Sequence, residues 1–286
     1  MNIDAKPSFD SNNKEFNYFN KIVETVDKNI ALTKIPTREL LERCKLIDQS
    51  IVHEIGQHFH DVYGAPEESL DRLDAYKAYV VPEELYFRLA YSEIVMPLFK
   101  GKENIRDLKG EDLTICLKLL KAAEGSAGVC DTKRKRWIVR ENIDQIKEYM
   151  TFRHESLHAM ADFDDVRSGF QTGEDYDSHS VNEAVVEILE RADYLKKVPD
   201  TLMSDILDGK LKFVETRKKN ILLTLIPLYI LQGTEDEISF RDLAKYYWKG
   251  DIDGYLEILE PKVEKNMTKV GEEKMKLIKR AYEALK

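Results

Sequence analysis

The sequence predicts a predominantly helical α+β protein, and three observations carry that expectation. Apolar residues recur at three- and four-residue spacing over most of the chain, as at Leu113, Cys116, Leu117 and Leu120. One short stretch near residues 128–140 breaks the helical pattern with two β-type runs around a basic tip. The composition, 43% hydrophobic and 34% charged with only 13 Gly and 8 Pro in 286 residues, is that of a folded globular chain and excludes a collagen-like or wholly disordered one.

In chain order, residues 1–20 read as a polar tail with a disorder-compatible composition, and 21–123 as a helical region. Leu40, Leu41 and Ile47 belong to one helical face; Gly64-Ala65-Pro66, Val81-Pro82 and Gly101 are its punctuation. Residues 124–199 form the expected core. Val129-Cys130-Asp131, the tip Lys133 to Arg136, and Trp137-Ile138-Val139 read as a β-hairpin. Helical spacing returns from Ile143 through Ile146, Met150 and Leu157 to about Phe163. A polar loop over Asp164 to Ser180 precedes a helix from about Val181 to Leu195, which Pro199 stops. Residues 200–286 are expected to be helical, with interruptions near Gly233 and from Gly250 to Gly254.

Several function classes are disfavoured at once. A net charge of −9 supplies no basic field for a phosphate backbone, and the Lys133 to Arg136 tip is too short to bind nucleic acid alone. Cys44, Cys116 and Cys130 are odd in number and lack C-x-x-C pairing, against a disulfide framework or a cysteine zinc cluster. No secretion signal is recognised in Met1 to Asn20, so cytoplasmic residence is the expectation. The longest apolar run, Ile221 to Leu231, contains Pro227 and falls short of the roughly 20 residues a bilayer span needs. It reads as a buried helix.

Chemistry concentrates in His154-Glu155-Ser156-Leu157-His158, an H-E-x-x-H pattern inside a predicted helix. Positions four apart face the same way, so the two imidazoles converge on one point, as a zinc ion requires. Glu155 is rotated about 100° from His154, which suits a general base beside the metal rather than a ligand. Glu183, 25 residues beyond His158, is the candidate third ligand, and Glu187 one turn later is placed to accept the second ring N–H of a ligand histidine. A bland reading competes: Ser180-Val181-Asn182-Glu183 also fits a capping box, in which the glutamate only satisfies a backbone N–H. His53 and His58, five apart, diverge by about 140° on a helix and cannot share a metal there.

These residues resemble the gluzincin metallopeptidases. The thermolysin-like pattern, H-E-x-x-H-A-x-x-D followed by N-E-A-x-x-[DE], is matched by His154 through Asp162 and by Asn182-Glu183-Ala184 with Glu187. The resemblance implies a zincin-like core, a Zn2+ cofactor held by His154, His158 and Glu183, and a peptide or protein substrate. Peptide bonds would be hydrolysed by Glu155-assisted attack of zinc-bound water. It also implies an edge strand that binds substrate in extended form, for which Trp137 to Arg140 is the candidate. A narrower similarity, to the lethal-factor and Pro-Pro endopeptidase group, implies a tyrosine that stabilises the oxyanion. Tyr176 stands at the matching spacing, seven residues before Glu183, with His179 and Arg167 as further candidates. The match covers about residues 125–195. Acidic residues between Asp162 and Asp177 are open to three readings: a preference for basic substrates, calcium binding, or solvation of the loop. The rival function is a zinc-stabilised helical interaction or regulatory module without turnover.

Overall fold

A computed structural model describes the backbone of residues 24, 32, 34–102, 107–141, 144–162, 169–170, 176–213 and 215–286, and their side chains except at 93, 121, 122, 124, 176–179, 215 and 216. Among the described residues the chain is mainly helical with one small sheet, as the spacing of apolar residues predicts. No described helix is long and apolar enough to cross a membrane. The three cysteines are free thiols.

The sheet contains β1 (Lys45–Leu46), β2 (Lys77–Val81), β3 (Gly128–Asp131) and β4 (Arg136–Arg140), in the order β1-β2-β4-β3. β1 runs antiparallel to β2, with Lys45 opposite Val80 and Leu46 opposite Tyr79. β2 and β4 run parallel: the Lys77 N–H donates to Lys135 O at one end and the Glu141 N–H to Val81 O at the other. β3 and β4 form the expected hairpin. Its turn, Thr132–Arg134, is capped by the Asp131 carboxylate and closes on Lys135 in the left-handed region at φ 49°.

This order corrects one expectation. β4 lies inside the sheet, so Trp137 to Arg140 is not an edge; among the described strands the edges are β1 and β3. The physical reason is in the residues: Trp137, Ile138 and Val139 are all fully buried, an unbroken apolar run of the kind that central strands carry. β1 and β2 themselves fall in a region that helical spacing assigns to helix.

The chain divides into two compact units. One takes its residues from segments ending at Leu46, from Tyr79–Val129 and from Ile138–Glu148; the other from Ile47–Ala78, Cys130–Trp137 and Tyr149–Lys286. The first holds α1 (Thr37–Leu41), α4 (Glu83–Ala90), α5 (Ser92–Phe99) and α6 (Gly110–Gly125), packed on a core that includes Leu40, Leu89, Phe99, Cys116 and Ile138. Pro82 opens α4, where its missing N–H costs nothing.

The second unit holds α2 (Gln49–Tyr63), α3 (Glu67–Asp74), α8 (Tyr176–Leu195), α9 (Pro199–Leu207), α10 (Glu215–Leu231), α11 (Phe240–Tyr247), α12 (Ile252–Met267) and α13 (Glu272–Ala284), together with most of α7 (Gln145–Met160). Gly64 ends α2 in the left-handed conformation that Gly adopts without a Cβ penalty, and Pro66 caps α3. Ala184, Ile188, Leu202, Ile221, Leu225 and Ile278 form its principal apolar cluster. The run Ile221 to Leu231 is a buried helical segment, as expected, with Pro227 inside α10.

Candidate metal centre

α7 and α8 carry the residues that the sequence singles out, and every described one lies in the second unit. The Asp144 carboxylate accepts the N–H groups of Ile146 and Lys147 at 3.1 and 3.4 Å and so starts α7. From Phe152 to Met160 nearly every side chain is buried, polar ones included, so the helix lies in the interior and not on one face of it. Ser156 satisfies its hydroxyl locally by donating to Phe152 O at 2.6 Å.

The end of α7 is held from several sides. Tyr247 Oη donates to Leu157 O at 3.3 Å, Arg72 to Met160 O at 3.0 Å, and Tyr76 Oη to Asp162 at 2.6 Å. Lys135, at the hairpin tip, also binds Asp162. Gly169 donates its N–H to Ala161 O at 2.8 Å with φ +56°, and a Cβ there would overlap the Tyr247 ring and Asn182 Oδ1.

α8 begins at Tyr176, five residues earlier than its apolar spacing suggests. Ser180 therefore sits inside the helix and cannot act as its N-cap, which removes the capping-box reading of Glu183. Tyr176 is the first residue of α8, and His179 follows in the same helix, but their side chains lie outside the described residues. Arg167 lies outside them as well, as do Asp164, Asp165, Glu174 and Asp175 of the acidic loop.

The remaining site residues come together. His154 Nε2 and His158 Nε2 stand 3.3 Å apart. Glu183 reaches both rings, Oε2 at 3.4 Å from His154 Nε2 and Oε1 at 2.9 Å from His158 Nε2. For metal–ligand bonds of about 2.0–2.1 Å, the edge of a tetrahedron is about 3.3 Å, so this nitrogen and oxygen set suits zinc. The three side chains are nearly buried, 13%, 9% and 15% exposed, and hence little screened by water.

Electrostatics follows from this crowding. Burial disfavours the charged form of His154, but Glu183, Glu190 and Glu155 outweigh it and hold the imidazole well above its ordinary range. Burial likewise pushes the Glu183 carboxyl up, and the two histidines reverse this, holding it well below the usual carboxylate range. Glu155 goes the other way: burial dominates, and its carboxyl is raised despite both histidines. A buried carboxyl with a raised proton affinity is what a general base needs.

Outside the three donors, the second ring nitrogens are also engaged. His154 Nδ1 faces Glu187 Oε2 at 3.7 Å and Glu190 Oε2 at 3.8 Å. The Asn182 amide receives the Phe170 N–H on Oδ1 at 3.0 Å and lies 3.3 Å from His158 Nδ1 through Nδ2. Arg217, from α10, donates to Glu183 Oε2 at 2.8 Å and lies 3.6 Å from Glu187 Oε2, with 36% of its side chain exposed.

Sequence reasoning reached His154, Glu155, His158, Glu183 and Glu187 but missed Glu190 and Arg217. Glu190 had a readable signal: with Glu183 and Glu187 it forms an i, i+4, i+7 carboxylate stripe along a helix whose other residues are mostly apolar. Arg217 had none, because only tertiary packing brings α10 against α8. His53 and His58 share no site: His53 faces Asp74 at 3.3 Å and His58 faces Asp193 at 2.8 Å. Compared with known proteins, the chain matches no family model, and no significant match is found among curated proteins or solved structures.

Proposed function

We propose that the chain is a zinc-dependent peptidase of the gluzincin type, with His154, His158 and Glu183 as metal ligands and Glu155 as general base. The observation that carries this reading is the convergence of three ligand side chains: the two Nε2 atoms are 3.3 Å apart, close to a tetrahedral edge, and the Glu183 carboxylate reaches them at 3.4 Å through Oε2 and 2.9 Å through Oε1. Bound there, zinc supplies a nucleophile at neutral pH by lowering the pKa of water to about 7, and polarises the carbonyl to be attacked.

The chain's own residues supply the rest. Glu155 takes the proton, aided by the burial that raises its carboxyl. Glu187 and Glu190, as acceptors facing Nδ1, orient the His154 ring. Charge that develops on the substrate oxygen needs a donor beside the ligands. Tyr176 is that donor by resemblance; Arg217 is a second, with a guanidinium already on Glu183 and partly open to solvent. An extended substrate needs a strand edge, which among the described strands β3 offers in place of β4. Cys130 of β3 lies close enough to Glu155 for the carboxylate to help raise its thiol pKa, behind burial as the main cause.

The test is Glu155→Gln assayed on a mixed peptide library. Zinc content is expected to stay near that of the parent chain while cleavage falls by at least about 10²-fold, the lower end of what general base catalysis contributes. Undiminished cleavage contradicts the assignment of Glu155.

A further inference from the structure

His58 leads to a second cluster, built on a buried ion pair. His58 Nε2 lies 2.8 Å from Asp193 Oδ2, and Asp193 also pairs with Arg153 and, at 3.1 Å, with Lys196. Arg153 immediately precedes the ligand candidate His154, and Asp193 lies ten residues after Glu183, about 15 Å along α8. Both side chains of the Arg153–Asp193 pair are only 4% exposed. The guanidinium also lies 4.7 Å from the centre of the Phe59 ring and 5.8 Å from that of Tyr149.

The pairings give the two helices one direction and one register. Arg153 meets Asp193, His154 faces Glu187 and Glu190, and His158 meets Glu183 and Asn182. Residue numbers rise on α7 as they fall on α8, so the helices are antiparallel. Because consecutive helical residues are rotated by about 100°, fixing the azimuth of Arg153 fixes that of His154.

Stability alone does not explain such a pair. A buried ion pair is often no better than apolar residues of similar volume, and here Arg153 Nε has no hydrogen-bond partner among the described residues. What an apolar pair cannot supply is the direction of a hydrogen-bonded fork. A slip of one residue between α7 and α8 moves a donor atom by about 1.5 Å, enough to spoil a tetrahedral edge of about 3.3 Å.

We infer that Arg153 and Asp193 are positioning residues for the metal centre: together they lock the register and rotation of the two ligand helices, with His58 and Phe59 of α2 holding the pair in place. The inference rests on the zinc reading. It makes the site preorganised, so that the ligands converge before any ion arrives, and it gives the His58 position a purpose other than metal binding.

The test replaces the pair by apolar residues of comparable size, Arg153→Met with Asp193→Leu, in the full chain. Thermal unfolding after treatment with a chelator reports on packing; zinc affinity, by competition with a chromophoric chelator, and the visible spectrum of the cobalt-loaded protein report on ligand geometry. The double variant is expected to unfold within a few degrees of the parent, yet to bind zinc about 10–100-fold more weakly, as changes around ligand histidines do, with an altered cobalt spectrum. Arg153→Lys keeps the charge and loses the planar fork; it is expected to weaken zinc binding in the same direction by less. Zinc affinity and cobalt spectrum equal to the parent's, in either folded variant, overturn the inference and leave the zinc reading standing. A parent chain that binds no zinc overturns both.

Discussion

His154 Nε2 and His158 Nε2 stand 3.3 Å apart, one helical turn from each other on α7, and Glu183 from α8 reaches both. Three donors so placed would bind a metal as a set, since removing one leaves fewer than the three protein ligands that a catalytic zinc site uses. Substitution of His154 by Ala, or of Glu183 by Ala, is therefore expected to reduce zinc, measured by elemental analysis after gel filtration, from about one per chain to a small fraction of that. Full zinc occupancy in either variant would remove that residue from the ligand set.

Asn182 is only 1% exposed, its Oδ1 occupied by the Phe170 N–H and its Nδ2 beside His158 Nδ1. A histidine that coordinates through Nε2 carries its proton on Nδ1 and needs an acceptor there. Asn182 turns Nδ2, a donor, toward that nitrogen, whereas Asn182→Asp offers a carboxylate to the Phe170 N–H and the ring together, and is expected to raise zinc affinity. Asn182→Leu, like Asn182 itself, offers the ring no acceptor, and it strands the Phe170 N–H, so it is expected to leave zinc affinity unraised and to lower stability by about 1–3 kcal/mol. Chelator competition and thermal unfolding distinguish the two, and a zinc affinity lowered by Asn182→Asp would contradict the need for an acceptor at Nδ1.

Proton and metal compete for His154. Its imidazole is held well above the ordinary value near 6.5 because three carboxylates outweigh the burial. In the metal-free chain the protonated ring therefore adds stability that is full below the unfolded value and is lost as pH rises through the folded one. Zinc binding displaces that proton, so apparent affinity is expected to climb by about tenfold per pH unit from about pH 6 upward, until the ring is neutral without metal. A flat affinity over about two pH units would contradict a protonated His154.

Gly169 donates its N–H to Ala161 O, one residue beyond the end of α7. Its φ of +56° favours glycine, and a Cβ would strike the Tyr247 ring and Asn182 Oδ1. Gly169→Ala is expected to lower stability by about 2–4 kcal/mol, adding left-handed strain to overpacking. Calorimetry would show it, and an unchanged unfolding temperature would mean that the backbone at Gly169 relaxes freely.

How far the sequence could be read depended on whether a feature is local. α7, α8 and the β3–β4 hairpin are written in spacings of four and two, and the H-E-x-x-H and N-E-A segments mark which helix faces meet. β1 has two residues, too few for a period, and β2 pairs in parallel with β4 across more than 50 residues, a partnership that no local pattern records. The central position of β4 was legible in the unbroken run Trp137-Ile138-Val139. Arg217 and the Arg153–Asp193 pair depend on helices packing side by side, and only the acidic stripe Glu183, Glu187, Glu190 and Asp193 hinted that α8 buries charge.

X-ray absorption at the zinc edge of the zinc-loaded protein tests the metal centre most directly. It is expected to show four light neighbours at about 2.0–2.1 Å, with the scattering signature of two imidazole rings. A shell of sulfur at about 2.3 Å, six oxygen neighbours without imidazole, or failure to retain zinc would contradict it.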